Sequence, residues 1–223
     1  MKPQERENQR YDAGFENPIE VEEEAMFSLL PQGRTGALLD IGCGMGRISL
    51  ELQNRGYDVT GIDFSSVAVR RAVERRVKAQ VSDVDADGLR FPDATFDVAW
   101  AGDVIEHLFD PIFALKEVRR VLKPGGVLLM TVPNDFMLTT RLRLLWTGHS
   151  IQTDGYRTMR QIKHHTFFSW DLLQFMLNQA ALEINAYRSI LRVPRLGHES
   201  VSQSRFWGRL FGRTFIVRAR KPG

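Results

Sequence analysis

Cysteine is almost missing: one residue, Cys43, in 223. A lone cysteine excludes an internal disulfide framework and makes a reducing compartment, the cytoplasm, the expected location. Long apolar runs are missing too. No stretch approaches the ~20 residues that span a bilayer, and the opening MKPQERENQR is polar throughout, without a secretory-signal pattern. Internal repeats and low-complexity tracts are absent. Acids become scarce along the chain: residues 1–133 hold 22 Asp and Glu against 16 Lys and Arg, whereas residues 134–223 hold 5 against 14. Such a basic second part suits something anionic, whether a phosphorylated or carboxylated small molecule, a lipid head group or nucleic acid. Arginines that merely solvate a surface are the plainer reading.

What is present is a strand-and-glycine pattern. Leu38 to Arg47 reads LLDIGCGMGR, an apolar run that breaks into Gly42, Gly44 and Gly46, and a second apolar run ends in an acid at Asp63. A strand, a glycine turn, a helix and a strand closed by a carboxylate form a grip for a ribose-bearing cofactor. The pattern predicts strands at 37–41, 57–62, 79–82, 96–101 and 127–132. Helices are expected at 19–30 behind Pro18, 46–54, 65–77 and 111–122, the last stopped by Lys123-Pro-Gly-Gly126. Strands and helices alternating at this spacing imply a doubly wound parallel sheet. A helix at 170–180 and strands at 182–190 and 214–219 follow, with 191–213 read as irregular; two terminal strands without a long helix between them predict one antiparallel strand.

The glycine spacing separates two kinds of cofactor. A dinucleotide site needs a glycine three residues after the second one, and here that position is Arg47. Asp40, just before the loop, would repel a diphosphate but could pair with an ammonium group. A dehydrogenase is therefore disfavoured.

The segments LLDIGCGMGR, GIDFS, LRFPDATFDVAWAGDVIEHLFDP and EVRRVLKPGGVLLMTVPN resemble, in order, the motifs of class I S-adenosylmethionine-dependent methyltransferases, most closely the type 11 small-molecule branch. The resemblance implies a seven-stranded Rossmann-like sheet with a reversed last strand, S-adenosylmethionine as cofactor and S-adenosylhomocysteine as product. It implies that Asp40 and the Gly42, Cys43, Gly44 and Gly46 backbone hold the methionine moiety. Asp63 would take both ribose hydroxyls and Phe64 the adenine face. Asp83 or Asp85 would take the adenine amino group, and Ala101 would lie beneath the sulfonium. Cys43 is read as a small inert residue of the loop, because no neighbour in the sequence lowers its pKa.

A hydroxyl acceptor needs its proton removed. His107, in Asp103-Val-Ile-Glu106-His107, is the candidate base, against the alternative of a helix-starting histidine. No metal is assigned, although Asp103, Glu106 and His107 resemble the Glu-x-x-Glu-His segment that ubiquinone-biosynthesis O-methyltransferases associate with divalent metal, with a shorter acid in first place. His164, in His-His-Thr-Phe-Phe-Ser169, matches a His-x-x-Phe-Phe-[Ser/Thr] pattern of type 11 enzymes often linked to envelope glycans, lipids and secondary products; it could line the acceptor pocket or cap a helix. Trp146, Tyr156, Phe167, Phe168 and Trp170 could stack on an acceptor ring or pack in the core. Arg141, Arg143, Arg157 and Arg160 suit a phosphate or carboxylate on the acceptor.

These readings divide the chain into an N-terminal helical extension (1–36), a cofactor-binding core (37–133), a lid or acceptor-binding insertion (134–168) and the completion of the sheet (169–223). The expected activity is methyl transfer to a small-molecule hydroxyl, the acceptor anionic or linked to a glycan or lipid. A nucleic-acid methyltransferase is the second reading; the missing Asn/Asp-Pro-Pro-Tyr/Phe motif after the fourth strand argues against it. The third is a module of the same fold acting at a membrane surface, for which Met137–Trp146 and Phe206–Phe211 would provide the contact.

Overall fold

The computed structural model describes residues 19–33, 35–149, 164–192 and 199–223. One mixed sheet contains β1 (Ala37–Ile41), β2 (Asp58–Asp63), β3 (Lys78–Val81), β4 (Phe96–Ala101), β5 (Leu122–Pro133), β6 (Glu183–Arg192), β7 (Glu199–Ser202) and β8 (Gly212–Arg220). The strand order is β3-β2-β1-β4-β5-β8-β6-β7. The first five strands pair in parallel, β8 runs antiparallel between β5 and β6, and β7 is antiparallel to β6. The helices are α1 (Val21–Phe27), α2 (Arg47–Asn54), α3 (Ser66–Glu74), α4 (Val84–Asp87), α5 (Pro111–Val121), α6 (Leu138–Thr147), α7 (Trp170–Gln179) and α8 (Arg205–Phe211), with a 3-10 turn at Ile105–His107. Among the described residues no helix is long and apolar enough to cross a membrane.

The doubly wound sheet and its reversed last strand match the sequence expectation, but among the described residues the sheet has eight strands rather than seven. The extra strand, β7, and α8 both fall in the 191–213 stretch read as irregular. β7 is four residues with Val201 as its single large apolar side chain, and α8 is seven residues, so neither is long enough to show a period. Several boundaries moved: β5 begins at Leu122, taking in the Lys123-Pro-Gly-Gly126 stop, and the 65–77 helix ends at Glu74. Two of the changes have local reasons. α1 begins at Val21, because the Glu20 N–H donates to Glu23 Oε2 at 2.8 Å and ends the helix there. The acid-rich turn after β3 becomes α4, with Asp83 as its cap: Asp83 Oδ1 accepts from the Asp85 and Ala86 N–H groups at 3.1 and 3.2 Å. Pro18 lies outside the described residues.

Alternation along the central strands sorts side chains between two cores. Leu39 and Ile41 of β1, with Leu128 and Met130 of β5, face Leu115 and Val118 of α5 and Leu173 and Leu177 of α7. Leu38 and Leu129 join the opposite core with Met26 and Phe27 of α1 and Leu52 of α2. Each such fully buried side chain contributes about 1.5–3 kcal/mol relative to leaving it in water. The same alternation puts Asp40 on the α1 and α2 side. There the Ser49 hydroxyl of α2 donates to Asp40 Oδ2 at 2.5 Å.

Candidate functional site

The glycine loop is tied to the neighbouring strand by its own backbone. The N–H groups of Gly42 and Cys43 both donate to the Ile62 carbonyl, at 2.8 and 2.9 Å. Gly42 has φ +75°, and a Cβ there would stand 2.5 Å from Val104 Cγ2, so the turn requires glycine. Asp63, at the end of β2, completes the tie. Its Oδ2 accepts from Gly44 N–H at 2.9 Å and its Oδ1 from Ser65 N–H at 2.8 Å. A carboxylate has about four acceptor positions, so both oxygens can be held this way and still receive a diol. Phe64 follows half-buried, and Ala101 is fully buried at the end of β4.

The two acids left as alternatives after β3 differ in the structure. Both oxygens of Asp85 accept from Phe109 N–H, at 3.0 and 3.1 Å, and Oδ1 also accepts from Asp110 N–H at 3.2 Å. That carboxylate fastens the loop after β4. Asp83 caps α4 through Oδ1.

Beside the loop lies a cavity of about 300 Å³, lined by Asp40, Gly42, Cys43 and Arg47 from the first strand–helix unit, by Trp100 of β4 with Gly102 and Asp103 just after it, and by Thr131 of β5. Glu20, Glu22, Glu23 and Met26 close it from α1 and the residue before it. Five carboxylates against one guanidinium form this lining. Arg47 itself is bonded to Glu23, at 2.9 Å through Nη1 and by a shorter contact through Nη2. An acidic lining disfavours a diphosphate and suits a ligand carrying an ammonium and a sulfonium, so the residues present fit S-adenosylmethionine. Burial pushes the Asp40 carboxyl up to about 7, opposed by the Ser49 hydrogen bond and reinforced by Asp63. Burial, with Asp40 and Asp63 nearby, also raises the Cys43 thiol. Cys43 is therefore a protonated packing group against Gly61, whose Cβ would lie 2.8 Å from the sulfur.

Of the acids in the segment after β4, Glu106 is buried, while Asp103 is exposed at the cavity. Asp103 adopts φ +52°, with its N–H donating to Thr131 Oγ1 at 2.8 Å and its Oδ1 accepting from the same hydroxyl at 2.8 Å. Glu106 is 2% exposed, and its carbonyl accepts from His165 and Thr166 N–H at 2.8 and 3.2 Å. Among the described residues its Oε2 has no hydrogen-bond partner. Burial raises its carboxyl well above the ordinary range, and Asp103, Asp135 and Glu22 push the same way. The His107 and His164 rings meet edge to face with centroids 4.9 Å apart. One ligand atom each from Glu106, His107 and His164 falls within 4.8 Å of the others, a potential metal trio that replaces the Asp103-containing set suggested by the sequence. Burial, then the neighbouring His107 and His165, lowers His164 to about 4.

Several sequence candidates lie elsewhere. Phe168 and Trp170 are core: Trp170 stands edge-on to Tyr187 and Phe215 at 5.0 and 5.6 Å. They do not stack on a ligand, because the strand pairing around Phe215 buries them. Trp146 is at the surface. Arg141 Nε donates to the Phe136 carbonyl at 2.6 Å. Tyr156, Arg157 and Arg160 fall outside the described residues. Sequence reasoning assigned no site role to the acids of α1 and the residue before it; acids in a first helical turn are ordinarily partners of the helix dipole. It also missed Asn134 and Asp135, both buried; Asp135 Oδ2 accepts from Phe168 N–H at 2.7 Å and so anchors the return of the insertion. A polar pair directly after a buried strand was the available signal.

Sheet order, loop and acid-lined cavity define a Rossmann-like domain for a cationic nucleoside cofactor, and comparisons with known proteins agree. Residues 39–130 match the family described as Methyltransferase domain. The chain is 30% identical over 166 residues to the ubiquinone biosynthesis O-methyltransferase of Idiomarina loihiensis, covering 72% of this chain and 67% of that one. It is 43% identical over 105 residues to the 2-methyl-6-phytyl-1,4-hydroquinone methyltransferase of a Synechocystis strain, covering 45% of this chain and 32% of that enzyme. A solved S-adenosylmethionine-dependent methyltransferase from Methanosarcina mazei superposes with a TM-score of 0.60 at 27% identity, over 83% of this chain and 92% of that one. The matched region spans under half the length of several curated relatives. The chain belongs to the class I S-adenosylmethionine-dependent methyltransferases, in the type 11 branch. S-adenosylmethionine is the cofactor of that family.

Proposed function

We propose that the protein transfers the methyl group of S-adenosylmethionine to a hydroxyl of a small, lipid-linked acceptor, working in the cytoplasm. The carrying observation is the acid-lined cavity that opens between the glycine loop and the segment after β4. In this reading Asp63 binds the ribose diol, with Phe64 on the adenine face and Asp83 at its amino group, since Asp83 caps α4 through Oδ1 alone whereas both oxygens of Asp85 hold Phe109 and Asp110. Asp40 and the Gly42–Gly46 backbone hold the methionine end, Asp40 facing the ammonium, and Ala101 floors the sulfur. The cofactor brings a methyl carbon already activated for in-line displacement. The chain's work is then alignment and exclusion of water, worth up to about 7–11 kcal/mol in favourable intramolecular cases, and removal of the acceptor's proton. His107, or His164 against it, is the base. In this reading the 37–133 core binds the cofactor and the 134–168 insertion binds the acceptor; of its arginines, Arg141 and Arg143 lie among the described residues and suit an anionic group on the acceptor. Two relatives named for a phytyl hydroquinone and for ubiquinone biosynthesis favour a lipid-linked phenol.

The test is incubation with methyl-labelled S-adenosylmethionine and, separately, a prenylated hydroquinone, an unprenylated catechol and transfer RNA. Label is expected in the organic extract of the first. Label in the RNA alone would overturn the reading in favour of a nucleic-acid methyltransferase.

Asp40 supplies a second expected result. With its carboxyl near 7, free protein carries a proton there in a good part of the molecules at neutral pH. A cationic ligand favours the ionised form, so binding should release protons at pH 6.5–7 and tighten as pH rises through this range. Calorimetry of S-adenosylmethionine binding in buffers of different ionisation enthalpy reads the release directly. Asp40→Asn should remove it, and equal heats in all buffers for the unchanged protein would take Asp40 out of the methionine site.

A further inference from the structure

Two helices serve neither the cofactor site nor the core. None of the ten residues of α6 is buried, although its sequence is LTTRLRLLWT; Leu145 and Trp146 are each 78% exposed. In α8, RFWGRLF, Phe206 is 64% and Trp207 52% exposed. Some sixty residues apart in sequence, the two helices touch. The buried Asn134 explains how: its Nδ2 donates to the carbonyls of Gly208, Arg209 and Gly212 at 3.3, 3.2 and 2.8 Å, clasping the end of α8 to the segment that leads into α6. Gly208 allows the close seat, since a Cβ there would strike the Tyr187 hydroxyl. On α8, Phe206, Trp207 and Phe211 build an aromatic run with centroid spacings of 5.2 and 5.6 Å.

Position and charge identify the occupant. Pro133 pairs with Thr214, so both helices leave the sheet at the strand edge that also carries the glycine loop, Asp63 and Gly102. The helices hold Arg141, Arg143, Arg205 and Arg209 and no acid. Arg209 reaches Asp171 at 2.9 Å, and Arg205 stacks over Trp170 at 5.6 Å. Pairing this face with a second copy of itself would set arginines against arginines. Large apolar and aromatic side chains among arginines, with no acid on either helix and the neighbouring Asp171 already paired to Arg209, match the surface of an anionic bilayer, where aromatics enter the acyl boundary and cations meet head groups.

We propose that α6 and α8 together form a membrane-docking face that seats the protein on an anionic lipid surface with its cofactor edge toward the bilayer. The purpose rests on the lipid-linked acceptor proposed above; the docking itself does not. A phenol with a lipid tail would then enter the cavity from the membrane without crossing water.

The test uses the full chain with phosphatidylcholine vesicles, with and without phosphatidylglycerol, in co-sedimentation at low and high salt. Trp100 and Trp170 are buried, so a blue shift in tryptophan emission on vesicle addition would come from Trp146 and Trp207. Binding to the anionic vesicles, weakened by salt, is expected, and the double variant Trp146→Glu with Trp207→Glu should reduce partitioning by about tenfold or more. That variant should keep the thermal shift given by S-adenosylhomocysteine, which separates loss of docking from loss of the cofactor site. No binding to either vesicle, or binding unaffected by the two substitutions, overturns the proposal. So does a monomer–dimer equilibrium abolished by the same substitutions, or salt-sensitive retention on RNA in place of vesicles. A failed methyl-transfer assay with intact vesicle binding would fault the acceptor alone.

Discussion

Asp63→Ala should raise the dissociation constant for S-adenosylhomocysteine by about a hundredfold or more, which calorimetry would register as loss of measurable heat. The magnitude follows from two hydrogen bonds to a charged acceptor at about 1.5–3 kcal/mol each, with tenfold in affinity per about 1.4 kcal/mol. A second effect works in the same direction. Asp63 also accepts from Gly44 and Ser65 N–H, so its loss frees the glycine loop from β2 and leaves two amides to find water. Asp63→Asn separates the contributions: its single carbonyl oxygen keeps shape and one acceptor but gives up the charge, and an intermediate affinity is expected. A retained near-ultraviolet dichroism spectrum would show that the fold survives. A dissociation constant within about threefold of the unchanged protein would remove Asp63 from the ribose, with that threefold set against the hundredfold estimated above.

His107→Ala should lower turnover by about 10²–10⁴-fold, the usual yield of a positioned general base, while S-adenosylhomocysteine affinity stays nearly constant. His164→Ala is the necessary comparison, because the two rings lie edge to face and either could hold the acceptor hydroxyl. The pH profile distinguishes them. His164 is depressed from 6.5 to about 4, chiefly by burial, so it stays a neutral base until the medium becomes quite acid. If it takes the proton, the acid limb of turnover lies near pH 4 and disappears in His164→Ala. The same depression carries a stability consequence of definite sign. Between about pH 6.5 and 4 the unfolded chain binds more protons than the folded one at this residue, so its contribution to stability is lost as pH falls through that window. Rates unchanged in both variants would leave proton removal to neither histidine.

The cofactor half was legible in the sequence because its constraints are local. Gly42 sits where φ is positive and a side chain would hit Val104, and Asp63 closes the adjacent strand; both are visible as residue types at fixed spacing. The strands β1, β2 and β4 came out within a residue of their expected positions because buried strands announce themselves as short apolar runs. The remainder was hidden for a physical reason. Glu22 and Glu23 look like dipole partners in the first turn of a helix, yet Glu22 meets Thr214 and Arg213 and Glu23 meets Arg47, contacts that span up to 192 residues. For Phe168 and Trp170 a ligand role was open beside the commoner core packing, and the core is where they lie. Their burial was decided by β8, whose pairing with β5 and β6 brings Phe215 against them.

What the sequence by itself determined is the doubly wound sheet, the glycine turn and the carboxylate at the end of β2, since these depend on backbone conformation and on side-chain period along a few adjacent residues. Only the tertiary structure decided that α1 closes an acid-lined cavity, that Glu106, His107 and His164 converge, and that α6 and α8 come into contact. Those arrangements depend on long-range pairings such as Asn134 with Gly212 and β5 with β8, and on the burial that pairing imposes. No short window of residues contains that information.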